Sequence, residues 1–260
     1  MKTLMRVLRV ELRRSLTSAT LWLQLVLLLA WMCLNILAQL LNPNLRGFEP
    51  WQMLVSNAVT DIMNFAPLLM AIGPVCYAWS YCSDHSCGYD LEAARRTGTA
   101  AYGVAKFLAA MLSTFAVTVL AVLVFAGIMG LLQPPMNTEL LTAGNGAYLE
   151  LVAEGSTALF LVCRAAITGL SAAFAAALAL AVSAYVKNSF VSILSPLLIY
   201  MVLDNLSLYP DPRLSWQEIM FFETGKSTAA SALWAIWYLL LMIAGCGLLF
   251  VRRIRKELSA

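Results

Sequence analysis

The sequence predicts an all-α integral membrane protein with six transmembrane helices, and three observations carry that expectation. Hydrophobic residues make up 61% of the 260 positions and charged residues only 12%, with a mean hydropathy of +0.79. A soluble domain carries roughly 25% charged residues, so this chain has too little polar side chain to screen its core from water. Six apolar stretches are each long enough for a helix to cross a hydrocarbon layer of about 30 Å. Lysine and arginine cluster between alternate stretches. The net charge of +3 gives no reason to expect a nucleic-acid partner.

Residues 1–18 predict an amphipathic helix. Met1, Leu4, Met5, Leu8, Leu12 and Leu16 share one face, and Lys2, Arg6, Arg9 and Arg13 form a basic stripe beside it. Such a helix lies at the headgroup level of a bilayer; a plain basic flank that fixes orientation is the other reading. The basic region and the apolar run after it are too long for a secretory signal.

Residues 19–260 read as a single six-span domain. The spans fall at 19–41, 58–81, 104–132, 157–186, 189–206 and 230–251. Runs of this length must satisfy their backbone polar groups internally in lipid, so they are helices. Thirteen Lys and Arg residues fall on one side, before span one and after spans two, four and six: Lys2, Arg6, Arg9, Arg13 and Arg14; Arg95, Arg96 and Lys106; Lys187; and Arg252, Arg253, Arg255 and Lys256. Only Arg46, Arg213 and Lys226 fall in the opposite loops. This bias predicts a multi-pass protein of the cytoplasmic membrane with both termini in the cytoplasm.

Ionisable residues inside the spans are Asp61, Arg164 and Asp204, each towards the outer end. They line an outer vestibule of a translocation path or anchor at the interface. So sparse an ionisable interior argues against an ion-coupled pump. Pro67 and Pro74 interrupt the second span and Pro196 the fifth, which makes them candidate hinges or static packing features. The outer loop 207–229 carries Pro210 and Pro212, and its stretch 216–222 predicts a short interfacial or re-entrant helix.

Two chemical readings fail. Gly225-Lys226-Ser227-Thr228 resembles the end of a phosphate loop, but Met220 stands where the first glycine belongs and no strand precedes it. Cys82, His85 and Cys87 lack a fourth ligand and fit no usual zinc spacing, so no metal is expected. With one histidine and no paired carboxylates on a span, an intramembrane enzyme has no obvious machinery.

The loop between spans two and three is the most informative segment. It runs Asp84, His85, Ser86, Cys87, Gly88, then Tyr89 to Arg96, then Gly98. Residues 89–96 predict a short surface helix ended at Gly98. This loop resembles that of the membrane subunits of type-two (export) ABC transporters. Those subunits have six spans, an N-terminal amphipathic helix and a short coupling helix between spans two and three. Asp84, Gly88, Arg95, Arg96, Gly98 and Lys106 match the outline. The run Ser183 to Asn188 resembles their turn between spans four and five, and 216–222 their outer helices. Ala101 departs from it, where many members carry arginine.

The resemblance implies a permease that forms the translocation path as a dimer with an identical or homologous second permease. A separate ATP-binding cassette ATPase dimer, carrying ATP and Mg, would drive it through Tyr89, Leu91, Glu92, Arg95 and Arg96. The permease itself would bind no cofactor. Apolar spans suggest a hydrophobic or amphipathic cargo, such as a peptide or an antibiotic. The alternative is a non-transporting membrane scaffold, sensor or immunity protein.

Overall fold

The computed structural model describes residues 2–37, 50–60, 65–133, 148–205 and 227–258, together with Ser215 and Ile219. Among these residues there are helices and turns but no strand. In chain order the helices are α1 (Lys2–Leu16), α2 (Ala19–Asn35), α3 (Trp51–Thr60) and α4 (Phe65–Ile72), followed by a 3-10 turn at Gly73–Val75. Then come α5 (Ser80–Ser86), α6 (Tyr89–Thr97), α7 (Thr99–Leu132), α8 (Glu150–Ala153), α9 (Thr157–Ser183), α10 (Ser189–Asn205) and α11 (Thr228–Leu258).

Helices α7, α9 and α11 are long and apolar enough to cross a membrane, and the pair α1–α2, bent by 56°, adds a fourth if it counts as one span. These are the helices of a membrane protein. At 34 residues, α7 extends about 50 Å, well beyond a hydrocarbon layer. Helix α10 is apolar but shorter, at 17 residues.

The expected second span is not one helix. Helix α4 stops at Ile72, a 3-10 turn follows, and α5 starts only at Ser80. Pro67 is the third residue of α4, and Pro74 opens the 3-10 turn, where a missing N–H leaves no helical bond unmade. Ala78 N donates to Pro74 O at 3.1 Å and Ser80 N to Tyr77 O at 3.1 Å, closing the break. Pro196 lies inside α10. It cannot donate to Ser192 O four residues back, and the Ser195 hydroxyl takes that acceptor instead, at 2.9 Å.

Helix α9 is the centre of the bundle. In its most apolar stretch 78% of residues are buried, against 28% in α11, so α11 is the peripheral element. Small residues let neighbours approach: a Cβ on Gly169 would meet Val119 Cγ2 at 2.8 Å and Phe115 Cδ2 at 2.9 Å. The Ser192 hydroxyl bonds Ala179 O at 2.9 Å and ties α10 to α9. Leu112, Leu120, Leu123 and Ile128 on α7, and Trp237, Leu241 and Leu248 on α11, remain exposed. Lipid is the natural cover for such faces.

Helix α1 packs against the start of α7. Its inward side is Leu4, Leu8, Glu11, Leu12 and Ser15, rather than the whole apolar stripe; Met5 and Leu16 are exposed. The stripe is therefore divided between the bundle and its surroundings. At the same end of the bundle, Lys187 bonds Glu257 Oε2 at 2.8 Å and the Tyr81 hydroxyl at 3.0 Å, and Arg253 lies over the Tyr185 ring. The four basic clusters of the sequence thus converge on one end.

Candidate functional site

The chemistry of that end is built around an ammonium group with no exposure. Lys106, in the second turn of α7, is 0% exposed, as is the hydroxyl-bearing Tyr102 one turn earlier. Lys106 Nζ donates to Glu11 Oε2 of α1 at 3.1 Å and to Asp84 Oδ2 of α5. Glu11 is 1% and Asp84 4% exposed. Isolated charges this deep would cost several kcal/mol each, so their partners are required. Tyr77 OH donates to Glu11 Oε2 at 2.7 Å, and Tyr102 OH to Asp84 Oδ2 at 3.1 Å. Arg14 closes the cluster, donating to Asp84 Oδ1 at 2.9 Å and Glu11 Oε1 at 3.2 Å. Two carboxylates face one ammonium and one guanidinium, so the cluster is neutral. Burial alone would push the Asp84 carboxyl up, but Lys106 and Arg14 outweigh it and hold Asp84 below the ordinary carboxylate range.

Helix α6 lies directly on this cluster. Gly88 at φ 70° begins it and Gly98 at φ 89° ends it; no atom would crowd a Cβ at either, so glycine is there for its backbone. Asp90 is buried in the first turn, where a carboxylate suits the helix dipole. It accepts from Leu91 N at 2.8 Å and lies 2.8 Å from His85 Nδ1. Ala94 is buried on the same side. The other side is open: Tyr89 is 38% and Leu91 46% exposed, with Arg95 and the paired Glu92 and Arg96 around them.

Tyr89 joins the two layers. The Arg14 guanidinium sits 4.8 Å from its ring centroid while its nitrogens hold Asp84. A hollow of about 190 Å³ runs between α1 and α6, lined among others by Arg6, Val10, Tyr89, Glu92, Arg96 and Thr97. Arg9 and Arg13 are exposed on the far side of α1. Of the five α6 positions expected from the sequence, Tyr89, Glu92 and Arg96 line this hollow with Arg6, while Leu91 and Arg95 are exposed further round the helix.

The other expected positions are scattered. Arg164 is 1% exposed and donates to Ser56 O of α3 at 3.4 Å, deep between α9 and α3. Asp204 is half-buried in the last turn of α10. Asp61 and the stretch 216–222, apart from the buried Ile219, lie outside the described residues. The six cysteines are free thiols.

Sequence reasoning missed Glu11, Asp84 and Lys106 as a cluster. Asp84 and Lys106 stood out only as loop landmarks. Glu11 carried a signal of its own: it is the single acid in a strongly basic helix, three residues after Leu8 on its inward face. No protein family, curated protein or solved structure matches the chain.

Proposed function

We propose that this chain is the permease subunit of an ATP-driven exporter in the cytoplasmic membrane, paired with a second permease and driven by a separate ATPase dimer. The supporting observation is the contact of Tyr89 with Arg14. A partner that seats on the open side of α6 displaces Tyr89 and so pulls on Arg14, Asp84 and Lys106. Lys106 belongs to the 34-residue helix α7, so the motion enters a span directly. The mixed surface suits such a partner: Tyr89 and Leu91 are apolar anchors at the two edges of the open side, with Glu92, Arg95 and Arg96 between them. With no nucleotide site of its own in this reading, the chain receives its energy through that surface. The apolar spans suit a hydrophobic or amphipathic cargo.

Copurification tests the proposal. The parent chain, extracted from native membranes, should bring an ATPase with it. Tyr89→Ala with Leu91→Ala should lose it, since two such anchors are worth about 2 kcal/mol each, or some 30-fold apiece. Retention of the ATPase at parental levels would exclude α6 as the docking element.

A further inference from the structure

The elbow between α1 and α2 holds a polar cavity that borders the ion cluster and lies outside the docking surface. It measures about 280 Å³ and is lined by Arg14, Thr17, Ser18, Tyr77, Trp79, Ser80, Ser83 and Asp84. Ser80 is 4% exposed, and its hydroxyl has no hydrogen-bond partner among the described residues. A buried hydroxyl left unbonded costs about 1–3 kcal/mol, so a polar ligand is the economical explanation. The first turn of α2, a helix of 17 residues, opens at this cavity through its cap Ser18, which accepts from Thr20 N at 3.3 Å. Thr20 N and Leu21 N are already taken by the Ser18 hydroxyl and carbonyl, so the helix contributes the positive end of its dipole rather than free donors. Arg14 uses three of its donor contacts on Glu11 and Asp84, yet its side chain remains 42% exposed. Arg14 is already matched within the neutral cluster, so the charge that draws an anion comes from Arg9 and Arg13, exposed on the adjoining stretch of α1.

A second hollow joins the first. It is an open groove of about 560 Å³ along Met5, Leu8, Leu12 and Leu16, flanked by Arg9 and Arg13, and Thr17 lines both. Polar and apolar compartments meeting at one residue match an amphiphile with a phosphate head. Both lie where the first apolar span begins, beside the half-buried Trp79, an aromatic of the kind found at headgroup depth.

We propose that the elbow binds one anionic phospholipid. Its phosphodiester accepts from the Ser80 hydroxyl and the exposed part of Arg14, with Arg13 beside it, and an acyl chain follows the groove past Leu12 and Leu16. The bound lipid braces the 56° bend between α1 and α2. This requires only that the chain lies in a bilayer, and it stands or falls apart from the exporter reading.

Native mass spectrometry of the delipidated full chain in detergent, with phosphatidylglycerol added, tests it. The parent should retain one phosphatidylglycerol, bound about ten-fold more tightly than phosphatidylcholine. Ser80→Ala should weaken retention about ten-fold, the loss of one hydrogen bond to a charged group. Thr17→Trp, at an exposed position outside the ion cluster, should do likewise by blocking the junction of the two hollows. Millimolar inorganic phosphate should displace nothing. Unchanged retention in folded Ser80→Ala or in Thr17→Trp overturns the proposal. Displacement by inorganic phosphate also overturns it, and would assign the cavity to a free anion.

Discussion

The Lys106 ammonium lies 3.1 Å from a carboxylate oxygen of Glu11, 95 residues away in the chain, and neither group reaches the surface. The pair fastens the N-terminal helix to one long and apolar enough to cross a membrane. Lys106→Ala leaves two buried carboxylates with Arg14 as their one remaining cation and should destabilise the fold by about 3–5 kcal/mol. Replacing both partners, Glu11→Gln with Lys106→Met, should cost less than the sum of the single changes. Thermal unfolding in detergent reads this, and a coupling energy near zero would mean the two groups act independently.

Acid sensitivity follows from Asp84. Its folded-state acidity is held below the ordinary carboxylate value by Lys106 and Arg14, after those charges overcome burial. A carboxyl depressed in this way contributes stability above the unfolded pKa of about 4, and the contribution is lost as pH falls through the lower folded value. Unfolding measured from pH 8 to pH 5 should show no Asp84-dependent change, with the loss confined to pH below about 4. Asp84→Asn should remove that acidic limb. A limb that persists in the variant assigns it to another group.

The close approach of α9 to α7 should make Gly169 intolerant of a methyl group. Its Cβ would lie 2.8 Å from Val119, whereas a Cβ on Gly127 would meet nothing within 4 Å. Gly169→Ala should cost about 1–3 kcal/mol, and Gly127→Ala should be neutral or slightly stabilising through helix propensity. Comparison of melting temperatures checks the pair, and equal effects would contradict the packing described for α9.

Much of the fold is legible from hydropathy. Apolar stretches at 104–132, 157–186 and 230–251 correspond to α7, α9 and α11, and Gly88 and Gly98 bracket α6 because its ends need positive φ. Two features are not legible in that way. Gly73 and Pro74 mark the break in the second span, but hydropathy runs smoothly across residues 65–81 and hides it. Lys106 counts as one more basic residue near a membrane boundary until Glu11 and Asp84 are brought to it. Long-range pairing of charges depends on tertiary packing, for which a single sequence has no periodic signal. Only the misfit of Glu11 on an inward-facing helical stripe hints at it.

The orientation drawn from the basic clusters predicts the accessibility of introduced thiols. In a chain with its native cysteines replaced, Gly144→Cys should react with an impermeant reagent in intact cells, and Ser259→Cys only after lysis. The reverse pattern would invert the assignment of sides.

On the proposed function, α6 is the surface that receives energy from a partner. A photo-crosslinking amino acid at Leu91, 46% exposed on that helix, probes it directly in living cells. The account predicts one dominant adduct, an ATPase of the cassette class, which is lost on charge reversal at Arg95 and Arg96. Capture of an ATPase from Arg9 on α1 but not from Leu91 would move the docking site off α6. Capture of no ATPase from either position would contradict the exporter reading itself.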